Sequence, residues 1–312
     1  MKAVLLDATS LGDDVDLTPM AAAVDELVIH PHSEADQCIA RLADAQIAIS
    51  NKVVLGADTL AALPELKLIC VMATGTNNVD TDAAARLGIT VRNITAYGTA
   101  SVAQHTLMLM LALANRLPLY QQDVRNGHWQ QSTAFCLMDH RTLQLDGKHL
   151  VIVGQGELGH RVAQLATAFG MQTSFCARPG NETNDQRRPL AELAPKADVI
   201  SLHCPLTEHT RHLVNQAMLD TMKPGTLLIN CARGGIVDDE AALEALRRGR
   251  LGGLGVDVLP TEPPRHGHAL LSALAEKLNL IVTPHNAWIT PEARQNVVEL
   301  TAANLRKGVA DH

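Results

Sequence analysis

No stretch of the 312-residue sequence keeps up the ~20 consecutive apolar residues that a membrane-spanning helix needs, so none is expected. The N-terminal MKAVLLDATSLGDD holds only a short apolar stretch, broken at Asp7. It lacks the longer core and small-residue cleavage site of a secretory leader, and the cytoplasm is the expected compartment. Positive charge is in short supply: 26 Lys and Arg stand against 33 Asp and Glu, a net charge of −7. Nucleic acids and anionic membranes both select a basic field, so neither is an expected partner. There is no CxxC pair. The six cysteines (Cys38, Cys70, Cys136, Cys176, Cys204 and Cys231) are scattered, and four lie in apolar strand-like runs where a reduced, buried thiol is the usual state. No disulfide framework is read from them. The 14 histidines include HPH at 30–32 and HGH at 266–268, but these sit among Pro and Gly with no Cys or carboxylate at zinc spacing. No metal site is expected. Repeats of solenoid period and low-complexity tracts are also missing.

What is present is globular: 46% apolar and 19% charged residues, in a chain long enough for two domains of ordinary size. Short apolar runs alternate with amphipathic stretches. Candidate strands are KAVLLD (2–7), QIAIS (46–50) and KLICVM (67–72), and a helix is expected from Asp80 to Leu87, closed by Gly88. A second series runs through LDGKHLVIVG (145–154), QTSFC (172–176), DVISLHC (198–204), TLLINC (226–231), LGGLGVDV (251–258) and NLIVTP (279–284). Alternation of this kind predicts parallel sheets with helices on both faces, and strands of nearly continuous hydrophobicity predict doubly wound sheets buried on both sides. Between the two series lies SVAQHTLMLMLALANRL (101–117), a helix so apolar that it is expected at a domain or subunit interface. A long amphipathic helix is expected at 291–309. The simplest assembly has the chain leave the first domain near residue 99 and return to it after residue 286. That gives 1–98 plus 287–312 as one domain and 99–286 as the other.

The run VIV-Gly154-Gln155-Gly156-Glu157-Leu158-Gly159 follows a predicted strand and opens a predicted helix. Glycine-rich turns are common, but in this setting G-x-G-x-x-G reads as a dinucleotide loop. Gly154 permits the tight turn, Gly156 lets backbone approach a pyrophosphate, and Gly159 lets helix and strand pack closely. The helix N-terminus then offers free N–H groups to the phosphates. A sheet that selects NAD usually ends its second strand on an acid that holds the ribose 2′-hydroxyl. Here that place is Ala177, followed by Arg178. A carboxylate would repel a 2′-phosphate where Arg can clamp it, with Arg187, Arg188 and Asn181 within reach if the loop folds back. NADP(H) is therefore the favoured cofactor. NAD(H), served by Glu182 or Asp185, is the alternative.

Three polar residues follow strands of the second series: Arg233 after LLINCA, Glu262 in VDVLPTEPP, and His285 after IVTP. Ligand crevices of open α/β sheets lie outside the carboxyl ends of the strands, so the three are expected to converge beside the phosphate loop. Their types suit reduction of a 2-oxo acid. Arg offers a fork to a carboxylate or carbonyl, and His paired with a carboxylate can donate a proton. Any one of these alone would pass for a loop charge or a turn residue.

Together with ATGTNNVD (73–80), SVAQHTLMLML (101–111), HCPLTEHT (203–210), MKPGTLLINCARGGIVDDEAAL (222–243), GVDVLPTEPP (255–264) and TPHNAWITPEAR (283–294), these motifs resemble the D-isomer-specific 2-hydroxyacid dehydrogenase family over essentially the whole chain. ISNK (49–52), ATGTNNVD and PHNAW further resemble its glycerate dehydrogenase, or hydroxypyruvate reductase, branch. The resemblance implies an α/β architecture in which a flavodoxin-like substrate domain and a Rossmann dinucleotide domain flank a cleft. It implies that Arg233 binds the substrate carboxylate and carbonyl, that His285 is the acid/base and that Glu262 holds its imidazole charged. Asp257 would accept from the nicotinamide carboxamide, with backbone of Cys231 and Ala232 nearby. Cys204 and Pro205 would border the adenosine, and Thr106 would touch the cofactor. Thr74, Gly75 and Thr76 would meet the substrate carboxylate beside Asn51, and Trp288 would wall the pocket. A homodimer is implied, with the 101–117 helix its natural interface. Two positions depart from the family pattern: Gln104 replaces the acid usual before His105, and Ala177 replaces the usual aspartate. The reaction expected is NAD(P)H-dependent reduction of hydroxypyruvate to D-glycerate and of glyoxylate to glycolate. A reductase of bulkier 2-oxo acids and a non-catalytic dinucleotide-sensing protein are the competing readings.

Overall fold

The computed structural model describes residues 1–310, so Asp311 and His312, the end of the segment expected at 287–312, lie outside the described residues. The chain divides into two compact units: Met1–Gly98 with the chain from Ile289 onward, and Thr99–Trp288.

In the first unit β1 (Lys2–Leu5), β2 (Glu26–Ile29), β3 (Ile47–Ser50), β4 (Leu68–Val71) and β5 (Thr90–Asn93) form one sheet. Its order is β2-β1-β3-β4-β5 with every neighbouring pair parallel, the flavodoxin-like winding. The central strands β1, β3 and β4 are the apolar runs legible in the sequence. The edge strands β2 and β5 are not, because ELVI and TVRN are only half-buried and solvent reaches their polar residues. The helix Thr81–Arg86 starts on Asp80, whose carboxylate accepts the Ala83 N–H at 2.8 Å. It closes before Gly88, which takes the left-handed φ of +72°.

In the second unit β6 (His149–Val153), β7 (Gln172–Phe175), β8 (Val199–Leu202), β9 (Thr226–Asn230), β10 (Leu251–Val256) and β11 (Leu280–Val282) match the six predicted runs. They form a parallel sheet in the order β11-β10-β9-β8-β6-β7. Alternate residues feed two apolar layers: Val151, Val153, Ile200 and Leu228 face one side, and Leu150, Ile152, Val199 and Leu227 the other. That is why the inner strands lack a polar face, while the edge strand β7, QTSF, keeps one that is only half-buried. The winding reverses between β6 and β8, the place where such sheets open a crevice at their carboxyl ends.

The apolar helix spans Thr99–Ala114, short of the expected residue 117. Arg116 turns left-handed (φ +56°), and a separate helix, Leu117–Arg125, begins there. The first helix packs on the helix Glu157–Ala168 and on β9, β10 and β11 of its own unit. The glycines of LGGLG make room for it, since a Cβ at Gly253 or Gly255 would come within 3.2 and 3.1 Å of the Leu113 side chain. Its apolarity is thus spent inside the unit. Among the described residues, no helix is long and apolar enough to cross a membrane.

Candidate active site

Strand order fixes the layout of the second unit's carboxyl edge. From one end it presents His285 (after β11), Asp257 and Glu262 (after β10), and Cys231, Ala232 and Arg233 (after β9). Cys204 and Pro205 (after β8), the glycine loop (after β6), and Ala177 and Arg178 (after β7) complete it.

The glycine loop has the sterics of a phosphate cradle. A Cβ on Gly154 (φ +111°) would lie 2.4 Å from the His203 carbonyl oxygen, and one on Gly159 would lie 2.0 Å from the Gly154 carbonyl oxygen. Both positions are closed by backbone. Gly156 faces open space, with nothing within 4 Å of its would-be Cβ, and it caps the helix Glu157–Ala168 at its N-terminus. One glycine open and two closed is the pattern that lets an anion approach the helix end, so the loop fits the pyrophosphate of a dinucleotide.

Beside the loop, Ala177 is buried and its N–H donates to the Arg188 carbonyl at 2.8 Å, which folds 178–188 back as a flap. Arg187 donates from Nη1 to Gln155 Oε1 in the glycine loop at 2.6 Å and pairs with Asp185. Asp185 also accepts the N–H groups of Arg178 (2.8 Å) and Arg187 (3.0 Å), and Arg187 holds its carboxyl well below the usual range. Glu182 accepts the Gly180 N–H at 3.0 Å. Both acids offered as ribose ligands are therefore engaged within the flap, while Arg178 is exposed.

At the other end, His285 Nδ1 lies 2.5 Å from Glu262 Oε2, and Glu262 Oε1 accepts the Leu259 N–H at 2.7 Å. The carboxylate is thereby oriented. It accepts from Nδ1, which leaves Nε2 as the nitrogen presented to a reactant. Both side chains remain about one-third exposed (31% and 32%). Arg233 donates from Nη1 to the Ala232 carbonyl at 2.7 Å, and its own carbonyl accepts from Asn230 Nδ2 at 2.9 Å. Gly234 explains how the Arg233 loop meets the Glu262 loop. A Cβ there would lie 2.1 Å from the Leu259 carbonyl carbon, so only glycine lets the two backbones touch.

Asp257 is buried and already employed. Its Oδ1 accepts the Thr283 hydroxyl (2.6 Å) and the Asn286 N–H (3.0 Å), and its Oδ2 accepts the Ala287 N–H (3.0 Å). His105 Nε2 sits 3.0 Å from Thr283 Oγ1 and 3.6 Å from Asp257 Oδ1. Burial pulls the His105 pKa down, against the pull of Asp257's charge. Thr106, expected to touch the cofactor, is wholly buried, and its hydroxyl donates to the Val102 carbonyl at 2.8 Å. This departs from the expectation: the residue lies in the core behind Cys231, not on the open edge, because the helix turns that face onto its own sheet. Cys231, Ala232 and Cys204 are buried, and Pro205 is exposed. Burial pushes the thiols of Cys204 and Cys231 up to about 11 and 12, so both are protonated at neutral pH. His203 is pushed down to about 4 by burial and meets Ser201 Oγ at 2.8 Å.

In the first unit, Thr74, Gly75 and Thr76 follow β4, and Asn51 follows β3. Thr74 is exposed, and its carbonyl accepts from Asn93 Nδ2 at 2.6 Å. Asn51 is buried, with its N–H on the Asp7 carboxylate (2.9 Å), which also takes the Lys52 N–H (2.7 Å). Trp288 is half-buried in the second unit. Sequence reasoning did not single out Asp7, Ser101 or Thr283. The available signal was a polar residue at a strand end, and for Ser101 a hydroxyl one helical turn before His105 on an otherwise apolar helix. Among the described residues no group of His, Cys, Asp or Glu is arranged to hold a metal ion.

Residues 107–287 match the family model described as D-isomer specific 2-hydroxyacid dehydrogenase, NAD binding domain. The chain is 42% identical over 276 residues to the glycerate dehydrogenase of Methylorubrum extorquens, covering 88% of this chain and 86% of that protein. It is 33% identical over 315 residues to the hydroxypyruvate reductase of Blautia hydrogenotrophica, covering 98% and 96%. Its fold is similar to the crystal structure of D-lactate dehydrogenase from Aquifex aeolicus in complex with NAD and lactic acid. That match has a TM-score of 0.81 at 28% identity and covers 100% of this chain and 96% of that one.

Proposed function

The chain belongs to the D-isomer specific 2-hydroxyacid dehydrogenase family, and from that premise we propose that it reduces hydroxypyruvate to D-glycerate and glyoxylate to glycolate, with NADPH favoured over NADH. It is an oxidoreductase that uses a nicotinamide dinucleotide. The observation that carries the proposal is the 2.5 Å pairing of His285 Nδ1 with Glu262, on the same strand-end edge as the glycine cradle and Arg233.

When bound, the nicotinamide cofactor supplies the hydride to C2 of the 2-oxo acid. The Arg233 guanidinium orients the substrate carboxylate and carbonyl oxygen. His285 passes the proton on Nε2 to the oxygen that becomes the hydroxyl, and Glu262 stabilises the imidazolium from the Nδ1 side. In the reverse direction neutral His285 takes that proton back. In the first unit, the Thr74–Thr76 loop and Asn51 are the proposed carboxylate donors. Asp257, with one lone pair on Oδ2 beyond its Ala287 bond, retains capacity to accept from a carboxamide.

The NADPH preference is supported by charge. Where a ribose acid would stand there is Ala177, the two nearby acids are tied to flap N–H groups, and Arg178 is exposed with Arg187 over the loop. The test is initial-rate reduction of hydroxypyruvate and glyoxylate with NADPH and with NADH. Turnover that favours NADPH is the expected outcome. Turnover that favours NADH would keep the enzyme and discard the flap argument. Tight nucleotide binding without turnover, extending to bulkier 2-oxo acids, would favour a dinucleotide-sensing protein. The proposed assembly is a homodimer.

A further inference from the structure

His285 sits on a turn whose backbone N–H groups are all taken up within the second unit. Its own N–H reaches the Asp257 and Thr283 carbonyls (2.8 and 3.0 Å), and those of Asn286 and Ala287 reach the Asp257 carboxylate (3.0 Å each). These bonds hold His285 at a φ of +52°, a left-handed conformation that side-chain-bearing residues seldom adopt. Asp257 is in turn fixed by the Thr283 hydroxyl at 2.6 Å. Thr283 has one hydroxyl proton and gives it to the carboxylate, so its oxygen is an acceptor toward His105 Nε2 at 3.0 Å. Nε2 of His105 therefore carries the hydrogen. Four residues earlier on the same helix, Ser101 Oγ donates to the Ala287 carbonyl at 2.6 Å. Residues four apart share a helix face, so Ser101 and His105 grip both ends of the 283–287 turn from one side.

We propose that Ser101 and His105 are positioning residues for His285, Ser101 through Ala287 and His105 through Thr283 and Asp257. The inference rests on the reading of His285 as the acid/base. Burial pulls the His105 pKa down and so favours the neutral ring, with a single N–H to give. Each member of a buried polar chain depends on its neighbour for its partner, so the loss of one link frees the next. Because the turn is bonded to Asp257 on one side and to Ser101 on the other, removal of either support lets residue 285 drift toward ordinary backbone conformations. The imidazole then leaves its place on Glu262.

The test uses the full chain and the variants Ser101→Ala, His105→Leu, His105→Gln, Thr283→Val and Thr283→Ser, with two readouts. The first is amide hydrogen exchange over 283–288 in the ligand-free protein. The second is kcat for hydroxypyruvate with KM for NADPH. His105→Leu and Thr283→Val are expected to speed exchange in that segment by about tenfold or more while the sheet strands stay protected. They should lower kcat by about tenfold or more with KM for NADPH within about threefold, a part of what acid–base catalysis supplies. Ser101→Ala should move both readouts in the same direction. His105→Gln and Thr283→Ser, which keep the donor and the hydroxyl, should return kcat to within about threefold of the parent, and the Leu/Val double variant should lose no more than Thr283→Val alone. Unchanged exchange over 283–288, with kcat within about twofold of the parent in His105→Leu and Thr283→Val, overturns the proposal. So does a uniform loss of protection that His105→Gln fails to reverse, which would make His105 a packing residue only. If His105→Leu does not fold, Thr283→Val and His105→Gln carry the decision. Should the parent turn over no 2-oxo acid, the reading of the reaction falls on its own, and the exchange comparison still decides the positioning.

Discussion

At the scale of single residues, the proposed chemistry rests on a histidine held against its own backbone preference. A non-glycine residue at φ +52° costs on the order of 1–3 kcal/mol, and the three N–H bonds to Asp257 together with the Glu262 pairing offset that cost. His285→Ala should therefore lower kcat by about 10²–10⁴-fold while NADPH affinity, measured by fluorescence titration, stays near the parent's. A His285→Ala protein that turns over normally would sink the assignment. Glu262→Gln replaces an acceptor facing Nδ1 with a group that can turn a donor toward it, and should cost about 10²-fold in kcat. Away from this pair, Asp239 makes a pH prediction. Burial, with the charge of Asp238 adding to it and His212 opposing, lifts its carboxyl from 3.8 to about 6. The folded state then holds the proton more tightly than the unfolded state, so stability is lost as pH rises from about 4 to about 6 and does not return above that. Asp239→Asn removes the titration. Its stability relative to the parent should rise across that window, by at most about 3 kcal/mol for a shift of this size, read as urea midpoints at pH 4.5 and 7.5. A parent–variant difference that stays constant with pH would show that Asp239 does not titrate there.

At the scale of elements, the strand–loop–helix unit at 149–168 separates two kinds of glycine. Gly159→Ala drives a methyl into the Gly154 carbonyl, 2.0 Å from the ideal Cβ, and should destabilise the fold by about 1–3 kcal/mol through overpacking. Gly156→Ala points its methyl into open space. It should melt like the parent and yet bind NADPH about tenfold or more weakly, because the space it fills is where the proposed cradle would admit the phosphates. Equal melting losses in the two variants would count against the cradle. The same contrast explains what was legible in the sequence. Strands β6, β8, β9 and β10 are buried almost throughout and read as apolar runs, whereas the edge strands β2 and β5 border solvent and leave no periodic trace. The glycine loop and the strand-end Arg233, Glu262 and His285 stood out because residue type and position agreed. The bonds of Asp257 to residues 26 to 30 positions away did not, since they depend on the pairing of β10 with β11, and neither did the contacts of Ser101 and His105, which depend on how the helix Thr99–Ala114 is rotated. Rotation is also why Thr106 points inward while Ser101 and His105 reach the turn.

At the scale of the whole molecule, the proposed homodimer requires a face on which a second copy docks. The family resemblance points to the helix at 101–117 as the interface, and the helix Thr99–Ala114 turns most of its apolar side onto its own unit. Exposed apolar side chains gather just beyond it, with Phe135 at 91%, Met138 at 81% and Trp129 at 52%. The chain has only seven aromatic residues beyond histidine (2 Trp, 2 Tyr, 3 Phe), so two of them exposed within seven positions is a concentration that solvent alone does not favour. The segment is also anchored. The Asp123 carboxylate, held far below the usual carboxylate range by Lys277 and then by His140 and His128, ties both flanks of the apolar strip to the second unit. That anchoring is intact above the ordinary carboxylate pKa of about 3.8 and weakens only as pH falls below it. An anchored apolar strip loses little conformational freedom on association, which is the condition for a stable interface. The proposed homodimer is therefore expected to form through residues 129–138. Phe135→Ser with Met138→Ser should shift the mass measured by light scattering from dimer toward monomer at micromolar concentration, without lowering the melting temperature of the isolated subunit. Asp123→Asn should produce the same shift more weakly, by loosening the strip rather than removing it. A parent chain that stays monomeric at about 100 μM, well above the Kd of ordinary stable dimers, would mean that the strip serves something other than a second copy.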